Sequence, residues 1–294
     1  MVYLTPLVFL STFVAIQYDP IWDINDVVEQ VNKKNGYQIG IHVDAASGGF
    51  IAPFQENMPA FDFRLKNVMS MSASGHKFGE SSCGTGWLVF RHRLNLAEHI
   101  AVSVTYLGGK SDSITLNFSR PATAVYNQLY KFLRLGIKGY RKKVANQMAV
   151  AKYLRDYLKS CKAGQFPRYE MLDAGDEHCL PVVAARINPD LKLGYNDIDL
   201  QHGLAEYHWY VSGYSLNFED FSKGGQLQML CTDTTPMDTM FRVVVKSNLT
   251  MYLAEDLVSK LGEVVPLLDK LKGEVRSLKR ESHRKRRSSY VHVC

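Results

Sequence analysis

Two short motifs hold the residues of this chain best suited to chemistry. HVDAASGG, His42 to Gly49, ends an apolar run on an acid, Asp44. SASGHKFG, Ser72 to Gly79, sets a lysine, Lys77, beside a histidine, His76, in a glycine-bounded turn. Thirty-three residues separate Asp44 from Lys77, about the length of one strand-to-strand crossover. Such a crossover can bring acid and amine together at neighbouring strand ends, where open α/β sheets keep their ligands. An amine and a carboxylate so placed suit an aldehyde cofactor such as pyridoxal phosphate. The amine forms a Schiff base with the aldehyde, and the carboxylate keeps the pyridinium nitrogen protonated. The ring then takes up electrons as a bond at a substrate α-carbon breaks. A helix-capping aspartate and a solvated turn lysine are the plainer account of the same residues.

The elements needed to position this pair are legible in the pattern. Pro20 to Lys34 reads as a helix, with Pro20 in the first turn, Asp23 and Asp26 early, and Lys33 and Lys34 late, as the helix dipole favours. Ile24, Val27, Val28 and Val31 form its stripe and Gly36 ends it. Tyr37 to Ala45 reads as a strand delivering Asp44, Val68 to Ala73 as one delivering Lys77, and Gly86 to Arg91 as a third. Strand–helix alternation implies a mostly parallel, doubly wound sheet. Ser103 to Pro121 is expected to be a long functional loop with a short strand. Ala124 to Lys138 and Gly139 to Lys159 are expected to be helices, the second with a core-facing stripe from Tyr140 to Leu158. A smaller C-terminal domain follows. Its expected strands are Val182 to Ile187, Trp209 to Tyr214 and Phe241 to Val245, and its expected helices Ile198 to Glu206 and Tyr252 to Leu271.

Composition narrows the function classes. With 294 residues, 46% of them hydrophobic, the chain can bury a core as one or two domains. Its net charge of +6 is concentrated between Lys279 and Arg287, so the folded body does not read as a nucleic-acid binder. The cysteines are five, an odd number without CxxC spacing. That argues against a zinc site or disulfide framework and for a reducing, cytoplasmic compartment. No metal-ligand spacing is visible among the histidines. Leu7 to Ile16 is apolar but shorter than the roughly 20 residues a membrane span needs, and no basic residue precedes it as in a signal peptide. A buried parallel strand is expected there, and no membrane partner.

HVDAASGGF, the FDFRLKNV run from Phe61 to Val68, SASGHKFG, and YLGG followed by NFSRPA resemble the glutamate decarboxylases, a branch of the group II pyridoxal phosphate decarboxylases. SGHKFG points to the wider group; DAASGGF, DFRL and NFSRP narrow it to the glutamate branch. The resemblance runs from about Gln17 onward, weakens after Gly164, and begins in mid-domain, the family's chains being longer at the N-terminal side. It implies an α/β fold of the fold-type I, aminotransferase-like class. Residues 1–138 would be the C-terminal part of the large cofactor domain, 139–279 a connecting helix and small domain, and 280–294 a basic disordered tail.

The same resemblance implies pyridoxal phosphate-dependent decarboxylation of L-glutamate to 4-aminobutyrate, with Lys77 as the Schiff-base lysine and Asp44 as the ring-nitrogen partner. Ala46 would let the ring lie flat, and His76 would contact the phosphate. Ser119 would reach the phosphate of a neighbouring subunit's cofactor. Thr12 stands where the family has a Thr-aromatic-Thr-Gly turn, of which the second Thr and the Gly are absent here. Tyr106 and Leu107 match a mobile loop that closes over the partner's site, and Arg242 would hold the substrate α-carboxylate. A homodimer or higher homo-oligomer with shared sites follows. Plant relatives carry a calmodulin-binding tail; this one lacks apolar anchors at helical spacing, which speaks against calmodulin. Two other readings stay open. One is a truncated, inactive homologue without the family's N-terminal phosphate-binding turn; the other is a decarboxylase for a different amino acid.

Overall fold

Apolar residues at helical spacing and then at alternate positions build the sheet that carries both motifs. The computed structural model describes residues 7–9, 17–95, 102–106, 109–113, 120–173, 175, 178–215, 219–220, 225–226 and 239–271. The chain divides into two units, residues 1–145 with 176–180, and residues 146–175 with 181–294.

In the first unit, β1 (Leu7–Phe9), α1 (Ile21–Asn35), β2 (Ile41–Asp44), β3 (Val68–Ser74) and β4 (Gly86–Phe90) follow in order. The sheet runs β1-β2-β3-β4, the first three strands parallel and β4 antiparallel to β3. Helix α1 buries Ile21, Asn25 and Val28, and Pro20 sits at its N-cap, one step outside the first turn. Gly36 closes the helix in the left-handed region, φ 68°, its N–H donating to the Asn32 carbonyl. The Asn32 side chain holds both the N–H and the carbonyl of Ile39 and so feeds the chain into β2. That strand begins at Ile41, later than the apolar pattern suggests.

Between Ile41 and His42 the β2–β3 register shifts by one residue, so that Ile41 pairs with Val68 but His42 with Ser70 and Asp44 with Ser72. Met69 is the extra residue. A Cβ at Gly40 would come within 2.6 Å of its side chain, so the shift requires glycine there. Ile41, Val43 and Ala45 are buried, while His42, Asp44 and Ala46 lie on the more open face. The DFRL run is tied down from the far end of the sheet. Arg91 donates to the carbonyls of Phe63, Leu65 and Val68.

The stretch expected as a loop contains a hairpin, β5 (Val102–Tyr106) with β6 (Gly109–Ser113). Helix α2 (Thr123–Ser160) follows, broken at Gly136, φ 56° and ψ −174°. The break falls two residues before the predicted helix boundary.

The second unit holds β7 (Lys162–Ala163), β8 (Phe166–Pro167), β9 (Tyr169–Met171), β10 (Val182–Ile187), α3 (Asp197–Ala205), β11 (Ser212–Ser215), β12 (Glu219–Asp220), β13 (Gly225–Gln226), β14 (Thr239–Val244) and α4 (Met251–Leu271). Its main sheet is antiparallel, in the order β11-β14-β10-β9. Leu154 and Leu158 of α2, Val183 and Ile187 of β10, Phe241 of β14, and Leu200, Leu257 and Leu261 of α3 and α4 share one core. The strand predicted from Trp209 begins at Ser212 instead. Trp209 is held on α4 by an indole hydrogen bond to Asp256, 2.8 Å. Near its end α4 contains Pro266. Beyond that proline, Asp269 accepts two hydrogen bonds from Arg168 and one from the Tyr195 hydroxyl. Residues 280–294 lie outside the described residues.

One buried ion pair braces this unit. Arg155 Nε meets Asp173 Oδ1 with side chains 5% and 0% exposed, and Asp173 Oδ2 accepts from the Ala184 N–H. Removing the acid strands a buried guanidinium and a strand N–H. Asp173→Ala is therefore predicted to destabilise the unit by about 3–5 kcal/mol, read as a lowered urea midpoint. A loss below about 1 kcal/mol would show that the pair is solvated.

Candidate active site

The parallel pairing of β2 with β3 places both motifs at one end of the sheet. Past the last paired strand residues, the Ala45 N–H donates to the Ser72 carbonyl and the Ser74 N–H to the Ala46 carbonyl. The chain then turns through His76 and Lys77, which are exposed. The Lys77 ammonium reaches the Ser47 hydroxyl, 3.3 Å, three residues beyond Asp44. Asp44 accepts from the Ala46 N–H and from the Ser72 hydroxyl, both at 3.0 Å and both through Oδ1. Among the described residues no hydrogen bond reaches its Oδ2. Ala46 shares the more open face with Asp44. His76 Nδ1 lies 3.2 Å from the Thr85 carbonyl.

Three serines join these residues: Ser47 and Ser72, which fall inside the two motifs, and Ser70, which does not. Ser70 and Ser72 stand two apart on β3 and meet His42 and Asp44 across the strands. That period-2 spacing was the available signal. His42 Nδ1 lies 2.7 Å from Ser70 Oγ. Its burial lowers the imidazole pKa from the ordinary 6.5, the largest influence, and the nearby Asp44 carboxylate opposes this.

The turn that carries Lys77 depends on two glycines. A Cβ at Gly75 would stand 2.5 Å from Gln128 Oε1, and one at Gly79 would stand 2.5 Å from the Gly75 carbonyl oxygen. On the opposite face of the sheet is an apolar cavity of about 170 Å³, lined by Ala45, Phe61, Met71, Ala73, Trp87 and Val89 among others. Asp44 and Lys77 do not border it.

The geometry of this unit does not test the other candidate residues. Arg242 belongs to the second unit. There it pairs with Ala184 and Ser212 in the sheet, its guanidinium 4.9 Å from the centre of the Tyr214 ring. Tyr106 ends β5, and only its backbone is described. Thr12, Leu107 and Ser119 lie outside the described residues. No trio of His, Cys, Asp or Glu suited to a metal ion occurs among the described residues.

Comparison with known proteins adds to this geometry. Residues 4–184 match the pyridoxal-dependent decarboxylase conserved domain. The chain is 34% identical over 256 residues to a glutamate decarboxylase of Lactococcus lactis, covering 86% of this chain and 50% of that protein. It is 33% identical over 270 residues to glutamate decarboxylase 3 of Arabidopsis thaliana, covering 90% and 48%. Among solved structures, the Lactobacillus brevis glutamate decarboxylase superposes with a TM-score of 0.77 at 30% identity, over 90% of this chain and 55% of that one. A sphingosine-1-phosphate lyase of Burkholderia pseudomallei, TM-score 0.65 at 20% identity over 94% of this chain and 55% of that one, shares the fold. The chain thus spans about half the length of the relatives it matches.

His42 offers a test of the site's electrostatics. Its depressed pKa means that the folded state binds the proton less readily than the unfolded chain. Its contribution to stability is therefore present above the unfolded value near 6.5 and lost as pH falls through the lower folded value. His42→Asn is predicted to flatten that part of the stability–pH curve. In the parent, the His42 imidazole should titrate below 6.5 by NMR; a midpoint at or above 6.5 would contradict the assignment.

Proposed function

The chain belongs to the pyridoxal-dependent decarboxylase family, and from that premise we propose that it serves the decarboxylation of L-glutamate to 4-aminobutyrate and carbon dioxide. Its architecture is the α/β fold of the fold-type I pyridoxal phosphate enzymes. One observation supports the reading above others: the Lys77 amine reaches Ser47, on the turn that continues from Asp44. An amine and a half-buried carboxylate thus share one end of the sheet.

The residues present fit pyridoxal phosphate. Lys77 is exposed and able to hold an aldehyde carbon. Asp44 Oδ1 is fixed, and among the described residues no hydrogen bond reaches Oδ2, so a ring N–H could be held by an oriented carboxylate. The Ala46 methyl leaves a flat ring room on that face, where a larger side chain would intrude. When bound, the cofactor supplies an electron sink for the bond that breaks at the substrate α-carbon.

The chain's own groups do the rest. Asp44 keeps the ring-nitrogen proton in place, at an energetic advantage over bulk water because it is half-buried and oriented. Lys77 would hold the cofactor covalently through its amine. His76 is proposed to hold the phosphate, and Arg242 the substrate α-carboxylate. Thr12 and Ser119 as cofactor contacts, and Tyr106 and Leu107 as a closing loop, rest on their motifs. So does the homo-oligomer with shared sites. Glutamate is proposed as substrate because the relatives at 33–34% identity carry its decarboxylation in their names. A reducing, cytoplasmic setting is proposed from the odd number of cysteines, which lack CxxC spacing. No helix among the described residues is long and apolar enough to cross a membrane.

The test is the purified protein with pyridoxal phosphate. The parent should show the absorption band of the lysine-bound cofactor and release labelled carbon dioxide from glutamate and not from aspartate. Lys77→Ala should abolish both. Asp44→Asn should keep the band and lower kcat by roughly a hundredfold or more. A band without carbon dioxide from any amino acid would overturn the activity, and release from another amino acid would replace the substrate.

A further inference from the structure

The turn after Lys77 is gripped, residue by residue, by α2 on both sides of its break at Gly136. Ser81 Oγ donates to the Ala124 carbonyl, and Asn127 donates to Ser82 Oγ, 2.7 Å. Gln128, wholly buried, donates to the Gly79 carbonyl, 3.2 Å, with its Oε1 packed against the two glycines of the turn. Lys143 donates to the Phe78 carbonyl, 2.9 Å, and meets Glu80 Oε1 at 3.2 Å, while Lys131 meets Glu80 Oε2 at 3.2 Å.

Two features show that this grip is more than surface charge. Glu80 sits at φ 59°, in the left-handed region that a non-glycine residue occupies only where its surroundings hold it. Lys143 has a side chain only 10% exposed, and its ammonium lies 4.9 Å from the centre of the Tyr140 ring. Tyr140 in turn stacks on Phe54 at 4.8 Å. Desolvation lowers the Lys143 pKa, and Glu80 opposes this. A buried ammonium with an acid and a carbonyl as partners is costly to leave half-paired. Glu80 also belongs to the turn itself: its N–H donates to the Lys77 carbonyl, 3.2 Å.

We infer that Glu80 and Lys143 are positioning residues for the Lys77 amine, the ion pair between turn and helix holding the lysine at the Asp44 end of the sheet. The inference rests on the role proposed for Lys77 above. It goes beyond that role in assigning the lysine's placement to a charge pair between the turn and α2.

The experiment uses Lys143→Met, Glu80→Gln, the double variant and Lys143→Arg, with two readouts. The first needs no cofactor: hydrogen–deuterium exchange over residues 73–82, with α1 as internal reference. The Lys77, Glu80 and Ser81 amides should exchange about tenfold faster in Lys143→Met and Glu80→Gln, with α1 unchanged. The second is the dissociation constant of pyridoxal phosphate from Lys77, measured by borohydride trapping and peptide mapping. It should rise about tenfold in both, be no worse in the double variant than in the worse single one, and return in Lys143→Arg. Unchanged exchange over 73–82 overturns the clamp. Faster exchange with an unchanged dissociation constant overturns its link to Lys77. If Lys143→Met does not fold, Glu80→Gln makes the same comparison with the Phe78 contact intact. If the parent forms no lysine adduct, the proposed function fails, and the exchange readout alone decides the clamp.

Discussion

The register between β2 and β3 is the constraint on which the candidate site depends. Side chains alternate along a strand, so one further step of slip would turn Asp44 toward the buried face now held by Val43. Burial of Ile41, Val43 and Ala45 on that face opposes such a slip. The bulge at Met69 then brings Ser70 and Ser72 level with His42 and Asp44. Each polar residue on the open face of β2 therefore meets a hydroxyl from β3. Hydrophobic burial on one side of the sheet fixes polar chemistry on the other.

The acid and the amine are held in different ways. Asp44 is fixed from within its own strand pair, by one backbone N–H and one cross-strand hydroxyl. Lys77 is exposed on a turn that has backbone bonds of its own, from the N–H groups of Lys77, Glu80 and Ser81, and that gains further order from α2. The glycines at 75 and 79 make this contact feasible, because they let backbone approach backbone and let the Gln128 amide pack between them. A flexible amine on a firmly seated turn suits a covalent carrier, which must swing while its anchor stays still.

Much of this was readable from residues alone, and the limits have physical causes. The placing of Asp44 and Lys77 at one end of the sheet is legible because acid, amine and glycine stand at crossover spacing. The stripe from Tyr140 to Leu158 reads as core, and most of it is buried. The start of β2 was misplaced because Tyr37 to Gly40 looks strand-like, yet Asn32 holds Ile39 in the turn out of α1. The α2 break lies at Gly136 and not between Lys138 and Gly139, since helical periodicity alone does not say which of two glycines leaves helical space. Trp209 was drawn into a strand by its β propensity, whereas its indole is held by Asp256 on α4. Ser47, Ser72 and the α2 partners of the Lys77 turn were missed for one reason. They act through contacts distant in sequence, which a motif does not reveal even where, as with Ser47 and Ser72, the residue lies inside one.

The proline in α4 changes what kind of structure the end of that helix is. Pro266 cannot donate to the preceding turn, so the backbone ladder is interrupted just before Asp269. The last turn is then secured from outside, by the forked contact of Arg168 and the hydroxyl of Tyr195. A change at Arg168, some hundred residues earlier in the chain, would thus be felt as fraying at the helix terminus before it disturbed the sheet. Rigidity at that terminus belongs to a side-chain splint and not to the helix itself.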